Sequence, residues 1–420
     1  MKRIAVVTMG VSLDGEKGYS RFRSICQAFC EAGYDTTLIT TTFQHWEKRH
    51  RDLSSINPNS YPYQLVFFEE PGYQRNIDVK RIWSHAEAAK NLAKTLRENG
   101  PYDVVYCEIP PNDVARAVVE YAEENMIPSI IDVNDLWPEA MKMVLDVPVL
   151  NKILYSSFIR DADYVYRHCS GVIGTSDEYR ERPFQDFPRD IPRDTVYVGN
   201  SIDEFDRGCA AHKDLIKKED GEFFVTYAGT IGTSYDLKTL ILAADTLYKS
   251  GYVKIRFRIL GDGPERKKLE QLAHKLNTPN VSFLGYQPYD IMAAHLVRSD
   301  LLINSFVKKA PQSIVTKIGD YLAAGKPMIN TSLSPEFCRV VDDNKFGVNI
   351  EPEDARVLAK TILKFYRHPS VCIDMGLNAR RTAEELFDRR KSYYRIVELV
   401  DRLLGTEHNS SGLRGWKAEF

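Results

Sequence analysis

"TKIGDYLAAGKPMIN", Thr316 to Asn330, sets a helix directly against a strand. Gly325 suits the left-handed residue just past a helix end, and Pro327, two positions on, forbids continuation. Counting back, the helix begins near Ser313, which puts Lys317 about one turn inside it, where backbone N–H groups lack intrahelical partners. A helix start with a nearby lysine can hold an anion. A solvated Lys317–Asp320 pair at i,i+3, worth roughly a few tenths of a kcal/mol, accounts for the same residues and is the simpler reading of this stretch alone.

The helix-then-strand unit recurs in both directions. Upstream lie "DLLIN" (300–304), "VSFLG" (281–285), "IRFRILG" (255–261) and "FFVTYAG" (223–229), each separated from the next by a helical stretch. Further towards the amino terminus come "GVIGTS" (171–176), "PSIIDV" (128–133), "DVVYCE" (103–108), "TTLIT" (36–40) and "IAVVTM" (4–9). Apolar runs without two-faced alternation are those of parallel strands buried on both faces. Between the two series, the stretch 196–222 is polar, charged and broken by glycines, and reads as a linker. The fold class is therefore α/β, with two doubly wound parallel-sheet domains: residues 1–202, joined by a carboxyl-terminal helix at 386–404, and residues 203–385. The segment 405–420 has no periodicity and reads as a disordered tail. Two such domains facing each other would leave a cleft at the carboxyl ends of both sheets.

Bulk numbers agree with this organisation. The 420 residues exceed what one core supports, and 43% hydrophobic with 27% charged residues is an ordinary globular composition. A net charge of −2 argues against an extended nucleic-acid footprint. Seven scattered cysteines without a CxxC pair suggest neither a disulfide framework nor a zinc site, and fit a reduced cytosol. "MKRIAVVTMG" reads as a first strand rather than a signal peptide, and no segment approaches the roughly 20 apolar residues of a membrane span.

Candidate site residues sit where strands end. Gly229-Thr230-Ile231-Gly232 and Gly261-Asp262-Gly263-Pro264 each join a strand to a helix, where backbone amides can approach a phosphate, although either is equally a plain turn. Asp132, Asn134, Asp135 and Trp137 end the strand at 128–133, so their polar groups are expected at the cleft edge; Asp135 can bind a hydroxyl or act as base, or it can simply cap the turn. "QHWEKRHRDL" (44–53) sets Trp46 beside Lys48, Arg49 and Arg51, suited to anionic headgroups or to a solvated face. The acidic "DAD" at 161–163 lies in a helix, where solvent exposure rather than metal binding is expected.

Taken in order, "GYDTTLIT", "DVNDLWPE", "YVGNSID", "YAGTIG", "ILGDGP", "VSFLGY" and "DYLAAGKP" resemble family 4 of the retaining glycosyltransferases, two-domain enzymes of the GT-B fold. "DLWPE" and the P-x-S-x-x-x-K-I segment look like the branch that builds bacterial surface polysaccharides on lipid carriers, such as N-acetylfucosamine transferases of O-antigen assembly. The resemblance implies a UDP- or GDP-linked sugar donor held mostly by the second domain, near Gly229, Thr230, Gly232, Gly261 and Gly285. Of the family's two glutamates eight positions apart, the chain has Gln312 and Asp320, so Asp320 keeps a carboxylate for the donor ribose. Ser313 and Lys317 fall beside them. Thr230 stands at the usual diphosphate arginine, which leaves Lys317 to supply the positive charge.

Asn134 stands where many members have histidine, so the acceptor-side role falls to Asn134 and Asp135. Gly15, Gly18, Arg21 and Arg23 stand where the family has a glycine-rich turn facing the donor phosphate and the acceptor. The expected activity is transfer to a lipid-linked or other saccharide acceptor, with retention, without cofactor or metal, in the cytoplasm and peripherally at an anionic membrane face. The departures at Gln312, Thr230 and Asn134 keep two alternatives in view: a degenerate nucleotide-sugar-binding subunit supporting a partner enzyme, and a same-fold sugar-nucleotide epimerase.

Overall fold

Strands rich in Val, Ile and Phe can be buried on both faces only if helices cover both, and the chain does this twice. The computed structural model describes residues 1–16, 18–76, 78–142, 155–310 and 314–406. Unit 1 comprises residues 1–196 and 393–420, and unit 2 comprises 197–392. The chain passes between the units at Val196–Tyr197 and Ser392–Tyr393, where the sequence reading set boundaries at 202 and 385.

Unit 1 contains β1 (Arg3–Val7), β2 (Asp35–Thr41), a hairpin of β3 (Phe43–Gln44) and β4 (Arg49–His50), β5 (Gln64–Phe68), β6 (Val104–Ile109), β7 (Ser129–Val133), β8 (Gly171–Gly174) and β9 (Arg193–Thr195). Its seven-stranded sheet runs β5-β2-β1-β6-β7-β8-β9 with every pairing parallel. One face is covered by helices Val79–Asn99, Asn112–Glu124 and Ser156–His168 through Leu92, Leu96, Val118 and Val165. The other is covered by helix Arg21–Glu31 and the terminal helix Tyr394–Leu404, whose Ile396, Val397 and Val400 join Phe22, Ile25 and Phe29.

Unit 2 contains β10 (Phe223–Ala228), β11 (Ile255–Leu260), β12 (Val281–Gly285), β13 (Leu301–Asn304), β14 (Met328–Asn330) and β15 (Gly347–Asn349). The order is β12-β11-β10-β13-β14-β15, again all parallel, so both units reverse strand order beside their first strand, as Rossmann sheets do. Such a reversal leaves a crevice outside the carboxyl ends of the two strands that flank it.

Three sequence readings are corrected here. The polar stretch 196–222 is no linker, because helix Ile202–His212 occupies it; Ser201 caps that helix by accepting from Glu204 N, and Phe205 is buried in the core of unit 2. The helix of the opening stretch spans Lys317–Ala323, so Lys317 is its first residue rather than a turn inside. Its stop is as read: Gly325 has φ +63°, its N–H donating to the Leu322 carbonyl. The third concerns Asp161 of the "DAD" run, which is buried and paired with Arg116 at 2.9 Å instead of facing solvent. The tail reading, from residue 407 on, lies outside the described residues. No helix among them is long and apolar enough to cross a membrane.

Candidate functional site

Three loops at the carboxyl ends of β10, β11 and β12 are laced to one another by main-chain hydrogen bonds. Gly229 N donates to Leu260 O at 3.0 Å, Ile231 N to Asp262 O at 2.9 Å and Gly261 N to Gly285 O at 2.7 Å. The approach is so close that a Cβ on Gly261, whose φ is +122°, would lie 1.9 Å from the Gly229 carbonyl oxygen. Only glycine fits there, and the loops gain a floor with backbone exposed to a ligand.

Above this floor is a cavity of about 390 Å3 lined by Gly229, Thr230, Gly261, Asp262, Tyr289 and the helix residues Lys317 and Asp320, among others. Tyr321 ties that helix to the end of β10: its hydroxyl donates to Ala228 O at 2.9 Å and accepts from Ala228 N at 2.7 Å. The sequence candidates Gly229, Thr230, Gly261, Lys317 and Asp320 are thus brought together. Gly285 supports the floor through its carbonyl, while Gly232 accepts from Tyr235 N at 3.1 Å in the same loop without lining the cavity. Gln312 and Ser313 lie outside the described residues.

Lys317 is the unusual group. Its side chain is half-buried, but the ammonium nitrogen is shielded from solvent and, among the described residues, has no hydrogen-bond partner. The ring centroids of Tyr227, Tyr235, Phe306 and Tyr321 stand 4.4, 4.5, 5.6 and 5.6 Å from it. Burial pulls its pKa down to about 7. Asp320 is differently supplied: its Oδ1 accepts from Tyr289 OH at 2.8 Å and from Asn200 Nδ2 at 2.9 Å. Burial raises the Asp320 pKa and those two donors oppose the rise.

Asn200, Tyr289 and the rings around Lys317 were not singled out in the sequence. Asn200 stands in "YVGNSID" and Tyr321 in "DYLAAGKP", but nothing in one-dimensional spacing joins residue 200 to residue 320. That contact exists because Gly319 lets the helix backbone approach; a Cβ there would lie 3.2 Å from Asn200 N.

Arg23, Asn134 and Asp135 belong to unit 1. Asn134 accepts from Tyr19 OH at 3.0 Å and donates to Asp132 O at 2.9 Å. Asp135 accepts from Leu136 N at 2.8 Å and from Trp137 Nε1 at 3.2 Å. Arg23 pairs with Asp14 and lies 5.6 Å over the Tyr61 ring. Asp132 is a correction: it is fully buried rather than at a cleft edge, gripped by the equally buried Arg21 through Nε at 2.9 Å and Nη2 at 3.2 Å, with Tyr106 OH donating at 2.6 Å.

The basic cluster at 44–53 is also corrected. Arg51 is buried, bonded to Glu16 and to the carbonyls of Thr41 and Val11, because the loops around β1 and β2 need a donor there. Lys48 donates to His45 O at 2.6 Å and Arg49 pairs with Glu47, so no four-residue headgroup patch forms. Among the described residues, no group of three or more His, Cys, Asp or Glu side chains is placed to hold a metal ion.

Residues 211–382 match the family model described as glycosyl transferases group 1. The protein named glycosyltransferase EpsD in Bacillus subtilis (strain 168) is 22% identical over 322 residues, 73% of this chain and 78% of that one. The colanic acid biosynthesis glycosyl transferase WcaI of Escherichia coli (strain K12) is 25% identical over 202 residues, 45% of this chain and 47% of that one. Among solved structures, Anabaena Alr3699/HepE in complex with UDP superposes with a TM-score of 0.67 at 15% identity, covering 96% of this chain and 100% of that one. Sucrose-phosphate synthase from Thermosynechococcus elongatus does so with a TM-score of 0.70 at 15% identity, over 96% and 100% of the two chains. Two Rossmann-like units in this order are the α/β architecture of the GT-B class. The chain is a glycosyltransferase.

Proposed function

We propose that the chain is a retaining glycosyltransferase that moves a sugar from a UDP- or GDP-linked donor to a lipid-linked or other saccharide acceptor in surface polysaccharide assembly, on the cytoplasmic side of the membrane. The observation that carries this reading is the Lys317 nitrogen, held without a hydrogen-bond partner among the described residues at the wall of a cavity where Rossmann strands end. A diphosphate oxygen is the acceptor that this nitrogen lacks, and glycine-lined loops beside it let backbone amides share the same charge. The UDP in the HepE structure and the polysaccharide role in the name of WcaI support the donor class and the pathway type.

In this reading Lys317 and the loop amides near Gly229 offset the negative charge that develops on the leaving β-phosphate as the bond from the sugar's anomeric carbon to oxygen breaks. The acceptor hydroxyl attacks from the face that the phosphate leaves, and its proton passes to the departing phosphate. Asp320, its Oδ1 fixed by Tyr289 and Asn200, turns Oδ2 to the donor ribose hydroxyls. Asn134 and Asp135 belong to the acceptor side, and Arg23 is a further residue of the same unit.

Two measurements test this. Asp320→Ala is expected to weaken UDP and GDP binding alike, by about 1–3 kcal/mol, the range for hydrogen bonds to charged groups. Unchanged affinity in a folded variant removes Asp320 from the ribose site. Incubation with UDP- and GDP-sugars, followed by NMR of the first-formed product or of the hydrolysed sugar, is expected to show the donor's anomeric configuration retained and full activity in EDTA. Inversion overturns the mechanism, and loss of activity on chelation overturns the assignment of the diphosphate charge to Lys317 and the loop amides.

A further inference from the structure

In unit 1 the strand order reverses between β1 and β6, which opens a crevice between the loops that follow them. Glu108, in β6, reaches into it. Its Oε2 accepts from Thr8 Oγ1 at 2.6 Å, from Gly10 N at 3.2 Å and from Met9 N at 3.3 Å. Among the described residues Oε1 accepts no hydrogen bond, although the side chain is only half-buried. Gly10 keeps that oxygen uncovered, since a Cβ there would crowd it at 3.1 Å.

The carbonyl of the same Gly10 accepts from the indole Nε1 of Trp46 at 3.3 Å. Gly18 lies under that ring, where a Cβ would stand 2.2 Å from Trp46 Cδ1, so one face of the indole is fixed on the loop after β1. The rest is open: Trp46 is 53% exposed, although it is large and apolar. One glycine thus holds a carboxylate with a spare oxygen on one side and an anchored, exposed indole on the other.

We propose that this crevice binds a saccharide ring, with the C–H face of the sugar on Trp46 and a ring hydroxyl donating to Glu108 Oε1. A pyranose has the two surfaces that such a pair requires, an apolar C–H face and a rim of hydroxyl donors. Burial is also the main reason that the Glu108 pKa is held up at about 7, and a hydroxyl donor on its second oxygen offsets that penalty. The inference rests on the reading of unit 1 as the acceptor side, and it makes Glu108 and Trp46 binding residues there, with nothing required of lipid or metal.

The test is saturation-transfer NMR of the full chain, saturated with UDP, against methyl β-D-glucoside, methyl β-D-galactoside and methyl N-acetyl-β-D-glucosaminide. At least one glycoside is expected to give a signal that falls to background in Trp46→Ala and in Glu108→Gln, survives in Trp46→Phe, and is accompanied by wild-type UDP affinity in all three variants. Glutamine keeps an acceptor oxygen for Thr8, so Glu108→Gln is not a test of folding. Absence of signal from the whole panel, persistence in the Ala and Gln variants, or loss in Trp46→Phe overturns the proposal. Glycoside binding with these dependences in a chain that binds neither UDP nor GDP keeps the saccharide subsite and sinks the glycosyl-donor reading instead.

Discussion

Replacing Lys317 with methionine is expected to lower UDP affinity by about ten- to a hundredfold, the equivalent of roughly 1.5–3 kcal/mol for a lost charged hydrogen bond, while raising the temperature at which the UDP-binding unit melts. The two effects have one cause. A nitrogen shielded from water and without a hydrogen-bond partner costs the fold about 1–3 kcal/mol, and the surrounding rings return only about 0.5–2 through cation–π attraction. Methionine has nearly the same reach, carries no donor and packs well against aromatic rings. Wild-type chain with UDP identifies the relevant calorimetric transition, because the ligand shifts only the unit it binds.

The pH dependence follows from the same nitrogen, with the sign set by burial. Between about pH 7 and the ordinary lysine value near 10.4, the unfolded chain holds a proton at residue 317 that the folded chain does not. Wild-type stability gains from this group as pH rises through that window, and the advantage of Lys317→Met shrinks accordingly. Diphosphate favours the charged form, so UDP affinity runs the other way: it is greatest below pH 7 and falls above it, and binding takes up a proton. Among the described residues, the titratable groups facing Lys317 are Tyr227, Tyr235 and Tyr321, with Asp262 and Asp320 elsewhere on the cavity wall, and no carboxylate contributes to its shift. Calorimetry in buffers of different ionisation enthalpy measures the uptake directly. A Lys317→Met chain that binds UDP as tightly as wild type removes the lysine from the phosphate site, and one that melts lower shows that the rings stabilise the ammonium more than desolvation costs.

What could be read in advance followed from periodicity. Ten apolar runs were legible as strands because parallel strands buried on both faces need continuous Val and Ile. By contrast, β3, β4, β5, β9 and β15 were missed because "QLVFF" is half-buried at the sheet edge and the others are only two or three residues long. In "GNSIDEFDRGC" the glycine was taken as a breaker, yet Gly208 is there because a Cβ would lie 2.7 Å from the Asp290 backbone. Packing, not flexibility, selected it. In the unit 2 cavity the charged residue and the glycines were legible, whereas the aromatic box was not, since its four rings come from residues 227, 235, 306 and 321 and meet only in three dimensions. Glu108 was hidden for a related reason: within "DVVYCE" it reads as the polar end of a strand, and its meaning lies in Gly10, almost a hundred residues earlier.

Asp132→Ala is the substitution expected to cost most. Arg21 and Asp132 are both fully buried and meet through two guanidinium contacts, with Tyr106 donating to the same carboxylate. Removing one member of a buried ion pair leaves the other charge without its counter-ion, a loss of about 3–5 kcal/mol, whereas replacing both by apolar side chains is often nearly neutral. For a unit of about 200 residues that single loss should lower the melting temperature by roughly 6–20 °C. Arg21→Met combined with Asp132→Ala should recover most of it, so the double variant melts above Asp132→Ala alone. UDP affinity, which the proposed function assigns to unit 2, should be unchanged in both. The experiment also decides between two meanings of one residue, because "DVNDLWPE" offered Asp132 as a cleft group and the fold offers it as a core anion. An Asp132→Ala chain that keeps its melting temperature and loses transfer would return the carboxylate to the crevice; one that melts early and still transfers sugar at low temperature assigns it to the framework that holds Asn134 and Tyr19 in place.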